Sequence, residues 1–172
     1  MSTRILATEF APPERAPIEV IYQQRAALAE CPLTPQLVES VLNYVFILNA
    51  QRQIVYVSPN ALALSGDQSA DAILGMRLGE ALDCQHARRM EAGCGTSAFC
   101  RECAIAQAIL EGLAGREVTL DCHVTRVLNL ASTAMDLRVY AVPFEHAGQK
   151  YVMLSVKLAE PAHPAAPSPS TP

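Results

Sequence analysis

Four of the six cysteines in this chain fall within twenty residues, close enough in sequence to bind one metal centre. They are Cys84, Cys94, Cys100 and Cys103. Nine, five and two residues separate them in turn, so the spacing ends in a Cys-x-x-Cys pair. Such a pair can bring both sulfurs to a single metal, and the longer gaps leave enough chain for a loop to wrap around it. Glycines on both sides of Cys94 would let backbone amides approach sulfur, and such hydrogen bonds help to set the potential of an iron–sulfur cluster.

Composition argues against other uses of these cysteines. Disulfide scaffolds are mostly short secreted chains, and the N-terminal residues reach Pro12 and Pro13 without the apolar segment of a signal peptide.

The sequence has no run of eighteen apolar residues, so we expect no membrane span and a cytoplasmic protein. With a formal net charge of −4 and 5 % aromatic residues, the chain offers no basic or stacking surface, so we expect no nucleic-acid partner.

The hydrophobic pattern predicts an α+β domain between two disordered ends. Prolines interrupt residues 1–17, and residues 159–172 form a Pro-rich tail that cannot bury a core. Residues 18–42 are predicted to be a helical segment, followed by a folded domain over residues 43–158. The four cysteines lie in a loop of that domain, residues 83–103, which we call the cysteine loop.

Periodicity and turn signals predict the elements of the domain and of the segment before it. Residues 18–30 have an imperfect amphipathic pattern, and Thr34 followed by Pro35 starts a second helix that runs to residue 42. A further helix is predicted from Ala104 to Leu113, directly after the last cysteine of the loop. Five β-rich runs are predicted as strands, namely 44–48, 54–57, 117–127, 134–142 and 150–158.

Five stretches of sequence carry a family resemblance. They are 43–49 and 54–66, which suggest a hairpin and a first core helix, 72–82, in which Leu-Gly is followed by apolar residues, and two closing strands, 136–143 and 151–156. In this order they resemble the PAS sensor domain over roughly residues 36–158. The resemblance implies a five-stranded antiparallel sheet with helices on one face, preceded here by N-terminal helices. In that family the sheet holds a cofactor or small ligand, and the signal passes to a partner.

The cysteine loop occupies the stretch in which other PAS domains shape flavin, haem or ligand pockets. The flavin-type motif Asn-Cys-Arg-Phe-Leu-Gln is absent, and four nearby thiols favour a cluster over a haem held by His86 and His123. The spacing of Cys94, Cys100 and Cys103 resembles the three-cysteine loop of vertebrate-type 2Fe–2S ferredoxins. Some PAS domains hold iron–sulfur clusters. The two resemblances together imply an iron–sulfur cluster here, and the ferredoxin-like spacing favours 2Fe–2S over 4Fe–4S.

The fourth ligand is expected to be Cys84. Cys122, on the strand after the helix, or His86 could replace it. Cys31 and Cys122 lie outside the group of four, and a lone cysteine is more often a small buried hydrophobe than a ligand.

Three alternatives to a cluster-based sensor remain open. Four thiolates would bind zinc equally well, which would make the loop a structural staple in a protein-interaction module. The ferredoxin-like spacing also suits a small electron carrier. A thiol–disulfide switch is the third, in which Arg101 lowers the pKa of the neighbouring Cys100 thiol.

The function that we expect is a stand-alone PAS-type sensor or adaptor that is not an enzyme. No phosphate-binding glycine loop, serine nucleophile elbow or zinc-protease motif occurs in the sequence. The sensor would respond to redox state or oxygen and would signal to a partner protein such as a sensor kinase. The amphipathic helix 18–30 could dock that partner or a second copy of the chain.

Overall fold

The computed structural model describes residues 6–30, 38, 42–66 and 69–159. Its helices are α1 Ile18–Ala29, α2 Pro59–Ser65, α3 Ala70–Ile73, α4 Leu78–Ala81 and α5 Ala104–Leu113, with a short 3-10 helix at Ala98–Glu102. Its strands are β1 Tyr44–Asn49, β2 Ile54–Val57, β3 Val118–Leu128, β4 Ala131–His146 and β5 Gln149–Leu158. The predicted helices 18–30 and 104–113 are confirmed as α1 and α5.

The five strands form one antiparallel sheet in the order β2-β1-β5-β4-β3. All five strand predictions are confirmed, but β4 is longer at both ends than the predicted 134–142. The reason is that both of its ladders continue into tight turns, where Ala131 pairs with Leu128 and His146 pairs with Gln149. The residues at these two ends, exposed at the first and mostly half-buried at the second, lack the alternation that marks the middle of the strand.

The two sides of the sheet differ in how they are covered. Side chains on β3 alternate between inside and outside, with Cys122 and Val124 buried and His123 exposed between them, as expected for a strand with one solvated face. The helix α5 packs on the inner face against β3, β4 and β5. In β1, by contrast, every side chain from Val45 to Asn49 is buried, so both faces of that strand are covered.

The prediction that residues 1–17 are disordered is wrong for the described part, residues 6–17. The amide of Glu9 donates to the carbonyl of Thr96 at 2.8 Å, and that of Ala11 donates to Gly95 at 3.0 Å. Residues 8–16, which we call the N-terminal strap, therefore pair with the cysteine loop. Prolines do not prevent this pairing, because an extended segment that donates only from its non-proline residues tolerates them.

Several predictions fall outside the described residues. These are most of the second helix over 34–42, Cys31, and all but the first residue of the Pro-rich tail 159–172. Among the residues that the structure does describe, no helix is long and apolar enough to cross a membrane.

Candidate metal centre

All four clustered cysteines line one apolar cavity, whose volume is about 50 Å³. Cys100 is buried, and the other three are half-buried. Their surroundings are mostly aliphatic, with side chains from α4, α5 and β3: Leu78, Leu82, Ile105, Ile109 and Val124. The sequence predicted that these four thiols come together, and the fold brings them to the lining of the same space.

Different elements hold each cysteine at the cavity. Cys84 follows α4, where its amide donates to the carbonyl of Gly79 at 2.8 Å, and it forms a backbone bridge with Arg126 on β3. Cys100 lies in the 3-10 helix, and Cys103 is the residue that immediately precedes α5. The positions of the thiols are therefore determined by packing between distant segments as well as by the spacing in sequence.

Gly79 on α4 permits the closest approach in the site. A Cβ at this position would lie 2.5 Å from the Cys94 Sγ, 3.3 Å from the Cys94 Cβ and 3.5 Å from the Cys84 Cβ. Because of that approach, the Gly79 amide hydrogen-bonds to the Cys94 sulfur. From the sequence, this amide role was expected for the glycines beside Cys94 itself. Gly79 was not identified, although it follows an apolar residue in the PAS-like linker.

The thiols have unequal acidities in the metal-free protein. Burial and, to a smaller extent, the charge of the neighbouring Cys100 raise the pKa of the Cys94 thiol to about 12. Burial also raises the pKa of Cys84, although a hydrogen bond from the His86 amide opposes it. A hydrogen bond with the Cys122 thiol lowers the pKa of Cys103 and raises that of Cys122. The thiols of Cys84, Cys94 and Cys122 are thus protonated at neutral pH, whereas the lowered pKa of Cys103, about 6, favours its thiolate.

Two kinds of metal site could use these four thiols. Among the described residues, no three His, Cys, Asp or Glu side chains are already arranged around the position of a single metal ion. In a tetrahedral zinc site each sulfur lies about 2.3 Å from the metal, and therefore about 3.8 Å from the other sulfurs. In an iron–sulfur cluster the thiolates are shared among several irons and stand further apart. The two kinds of site therefore require different separations of the four sulfurs.

The other predicted ligands occupy different positions. Cys122 is buried on β3 in contact with the Cys103 thiol, but it is not among the residues that line the cavity. His86 does line it, stacked on Phe99 with ring centroids 4.5 Å apart. His123 is exposed on the outer face of β3 and pairs there with Asp136 at 2.7 Å. The fold therefore does not bring His123 to the cavity with His86.

Two buried arginines also line the cavity, and the sequence analysis did not identify either. Arg77 is 1 % exposed and Arg52 is 5 % exposed. Desolvation on burial lowers the pKa of Arg77 to about 10, so it stays protonated at neutral pH. Burial also lowers the pKa of Arg52. In a single sequence, a buried arginine cannot be told from the exposed arginines that are far more common.

The N-terminal strap closes the site from outside. Its Ala11 lines the cavity, and the Glu9 carboxylate accepts a hydrogen bond from the Ala98 amide at 2.8 Å. Arg101 of the cysteine loop donates through Nε and Nη2 to the Glu9 carbonyl, at 3.2 and 2.5 Å. The strap continues into α1, which packs against β2. A contiguous path of contacts thus runs from the cavity to the first helix.

No family model and no curated protein matches this sequence. Solved structures do resemble it. The PAS domain of nitrogen regulation protein NR(II) from Vibrio parahaemolyticus is 20 % identical with a TM-score of 0.52, over 74 % of this chain and 98 % of that one. The PAS domain of an HTR-like protein from Haloarcula marismortui is 16 % identical with a TM-score of 0.50, over 80 % and 97 % of the two chains. A LOV protein of Rhodobacter sphaeroides is 14 % identical with a TM-score of 0.50, over 84 % and 69 %.

At such identities the likeness establishes the fold alone. The chain has a PAS-like fold, in which a five-stranded antiparallel sheet carries helices, and this prediction is confirmed.

Proposed function

We propose that this protein is a PAS-type sensor that holds an iron–sulfur cluster on Cys84, Cys94, Cys100 and Cys103 and reports redox state or oxygen to a partner protein. The observation that carries the proposal is the single apolar cavity that all four thiols line. Four thiolates buried together repel one another, and their burial is costly unless a cation offsets the charge. Four thiols brought to one cavity are the arrangement that a metal cluster requires.

The size of the cavity favours the smaller cluster. A cavity of about 50 Å³ leaves room for only a few atoms between the thiols. This suits the core of a 2Fe–2S cluster, with two irons and two sulfides, better than the larger 4Fe–4S core.

The protein contributes ligands, hydrogen bonds and a dry environment. When bound, the cluster would supply one-electron redox chemistry. Amides of Gly79, His86 and Ile105 hydrogen-bond to the sulfurs of Cys94, Cys84 and Cys103, respectively. Such bonds stabilise the thiolate form and tune the potential. The aliphatic lining from α4 and α5 keeps water away from the site.

The contacts around the site also suggest how a signal leaves it. Cys103 immediately precedes α5, and the cysteine loop is hydrogen-bonded to the N-terminal strap that leads into α1. A change in charge at the cavity would act on both α5 and the N-terminal strap. On α1, Ile18 and Tyr22 are 45 % and 47 % exposed. These side chains are candidates for contact with a signalling partner, such as a sensor kinase, or with a second copy of the chain.

The ligand set is tested on protein purified without oxygen. We expect visible absorbance, with iron and labile sulfide in equal amounts, in the wild type. Each of the four single Cys→Ala variants should lose both, whereas Cys122→Ala, which removes a buried thiol beside the site, should retain them. If Cys84→Ala keeps full iron and Cys122→Ala loses it, the fourth ligand comes from β3. Bound zinc that depends on the four cysteines, without sulfide, would instead identify a zinc-stapled module. If the protein binds no metal at all, the proposal is wrong.

Sensing is tested separately from cluster binding. Hydrogen exchange should differ between the oxidised and reduced protein in residues 84–113 and in the strap, residues 8–16. Exchange on β4 and β5 serves as the internal control, since those strands are expected to be unaffected. Identical exchange in all regions, with the cluster present in both states, would leave an electron carrier as the better description.

A further inference from the structure

The cavity is lined by two arginine side chains that are almost fully shielded from water. Arg77, 1 % exposed, donates to backbone carbonyls on three segments, including those of Ala92 and Cys94, each at 3.1 Å. Arg52, 5 % exposed, donates through Nη2 to the carbonyl of Pro12 at 2.6 Å. Its Nε is shielded from solvent and has no hydrogen-bond partner among the described residues.

Neither guanidinium has a carboxylate partner among the residues that the structure describes. The charge of Glu80 acts on Arg77, but the Glu80 carboxylate forms an ion pair with Arg15 and also accepts from the Cys94 amide. The charges of Arg15 and Glu80 therefore cancel each other. Within the described residues, the guanidinium groups of Arg52 and Arg77 therefore hydrogen-bond only to backbone carbonyls, although the more distant charges of Glu14 and Glu80 raise the pKa of Arg52 and Arg77, respectively.

Burying unpaired charge in this way is unfavourable unless another group compensates. The effective cost is several kcal/mol per ion in proteins, and the guanidinium cannot lose its proton to avoid it. The backbone at Arg52 adds to the cost, because this residue has φ of 65°, in the left-handed region that a long side chain rarely adopts. A buried arginine whose Nε has no hydrogen-bond partner among the described residues is suited to balance a nearby anion.

The thiols of the same cavity supply that anion once they bind iron. Four thiolates around an oxidised 2Fe–2S core form a dianion, and reduction adds one more negative charge. Arg52 also lies against the loop beside Cys94, since a Cβ on Gly95 would be 3.3 Å from the Arg52 Nε. Negative charge on the Cys94 and Cys100 sulfurs raises the pKa of Arg52, and opposite charges attract more strongly in a low-dielectric site than in water.

We propose that Arg52 and Arg77 are the built-in counter-charges of the cysteine site, which balance the anionic cluster and raise its reduction potential. The proposal rests on the proposed function, since it assigns a role to these side chains only when a cluster is bound. Both act as positioning and tuning residues, because neither is a ligand. A positive charge close to the site stabilises the reduced state, which carries the extra negative charge, more than the oxidised state.

Arg52 is the better residue to test, since Arg77 holds many more backbone carbonyls in place. Arg52→Gln removes the charge, and Arg52→Lys keeps it. Both lose the guanidinium and its hydrogen bond to Pro12, so a purely structural role would affect both alike. Arg138→Gln removes an arginine that is exposed on β4 and paired with Asp121, and it serves as the control for net charge.

The decisive measurement is the midpoint potential of the cluster-loaded protein by spectroelectrochemical titration. We expect Arg52→Gln to lower the midpoint potential by at least 59 mV, which for a one-electron couple is a tenfold shift of the equilibrium toward the oxidised state. Arg52→Lys should shift it by less than half as much, and Arg138→Gln should leave it unchanged. If Arg52→Gln binds wild-type amounts of iron and sulfide with an unchanged potential, the proposal is wrong while the cluster assignment stands.

Two further readouts keep the test informative if a variant fails to load. Should Arg52→Gln bind no cluster, loading of Arg52→Lys would still support a charge role, whereas failure of both variants would overturn it in favour of a structural role. In the metal-free protein, Arg52→Gln should be at least as resistant to thermal unfolding as the wild type, because it removes an uncompensated buried charge. A lower unfolding temperature of the metal-free variant would contradict the proposal. Absence of a cluster from the wild type would refute the proposed function itself.

Discussion

Gly79 offers the sharpest test of the candidate site, because a single methyl group there would collide with a proposed ligand. The added Cβ of Gly79→Ala would lie 2.5 Å from the Cys94 Sγ, well inside van der Waals contact. Either Cys94 or α4 must move. The amide hydrogen bond from residue 79 to the Cys94 sulfur would be disturbed by the same movement.

The expected loss of stability follows from two opposing contributions. Overpacking of a well-packed site costs about 1–3 kcal/mol. Replacing a helical glycine by alanine returns roughly 0.5–1 kcal/mol, because the unfolded chain loses freedom. The net destabilisation of the metal-free protein should therefore be at most about 2.5 kcal/mol. For a chain of this size, that corresponds to a decrease in Tm of at most about 10 °C.

Gly112→Ala is the matched control. Gly112 is also a helical glycine, and its added Cβ would collide with the Cγ2 of Val152 on β5, far along α5 from the cysteines. Both variants should therefore lose similar stability. Only Gly79→Ala should also lose most of its iron and sulfide when it is purified without oxygen, because only that collision displaces a ligand.

The assay combines thermal unfolding of the metal-free proteins with iron and sulfide analysis of the loaded ones. A folded Gly79→Ala protein with the full wild-type iron content would refute the assignment of Cys94 as a ligand held against α4. Equal loss of iron in both variants would attribute the effect to general destabilisation.

Three further outcomes are expected. Arg138 donates to both oxygens of Asp121 at 2.7 and 2.9 Å and lowers the pKa of that carboxyl. An NMR titration should therefore give Asp121 a pKa below the usual Asp range, and Arg138→Gln should return the pKa of Asp121 to that range. Because the folded-state pKa is depressed, the small stabilisation from this pair is present above the ordinary Asp pKa and is lost as pH falls through the depressed value; an unchanged titration in the variant would contradict this. Leu137→Ala should cost about 2–5 kcal/mol in chemical denaturation because Leu137 is 1 % exposed, whereas Leu130→Ala, at a fully exposed position, should change stability by less than about 0.5 kcal/mol. Removing the cluster with an oxidant and a chelator should lower the Tm of the wild type, since a ligand of the native state stabilises it, and the same treatment should not affect a variant that lacks all four cysteines.

The fold could be predicted in large part because its signals are local. Each strand has β-rich residues between turn signals, and the helix after Cys103 has a regular apolar face. The ends of β4 were missed, because they extend through pairing with neighbouring strands rather than through their own hydrophobicity. The strap was missed for the same reason, since residues 8–16 are ordered by hydrogen bonds to partners about ninety positions away.

The candidate site, too, could be predicted only in part. The sequence by itself determined which four thiols could act together, because their spacing limits how far apart a single loop can hold them. Only the tertiary structure decided what surrounds them: that Gly79 lets α4 approach Cys94, that Cys122 contacts Cys103 outside the cavity lining, and that Arg52 and Arg77 are buried beside the thiols. The physical reason is that burial and the identity of a partner depend on which distant segments meet, and a side chain's own type carries no record of them.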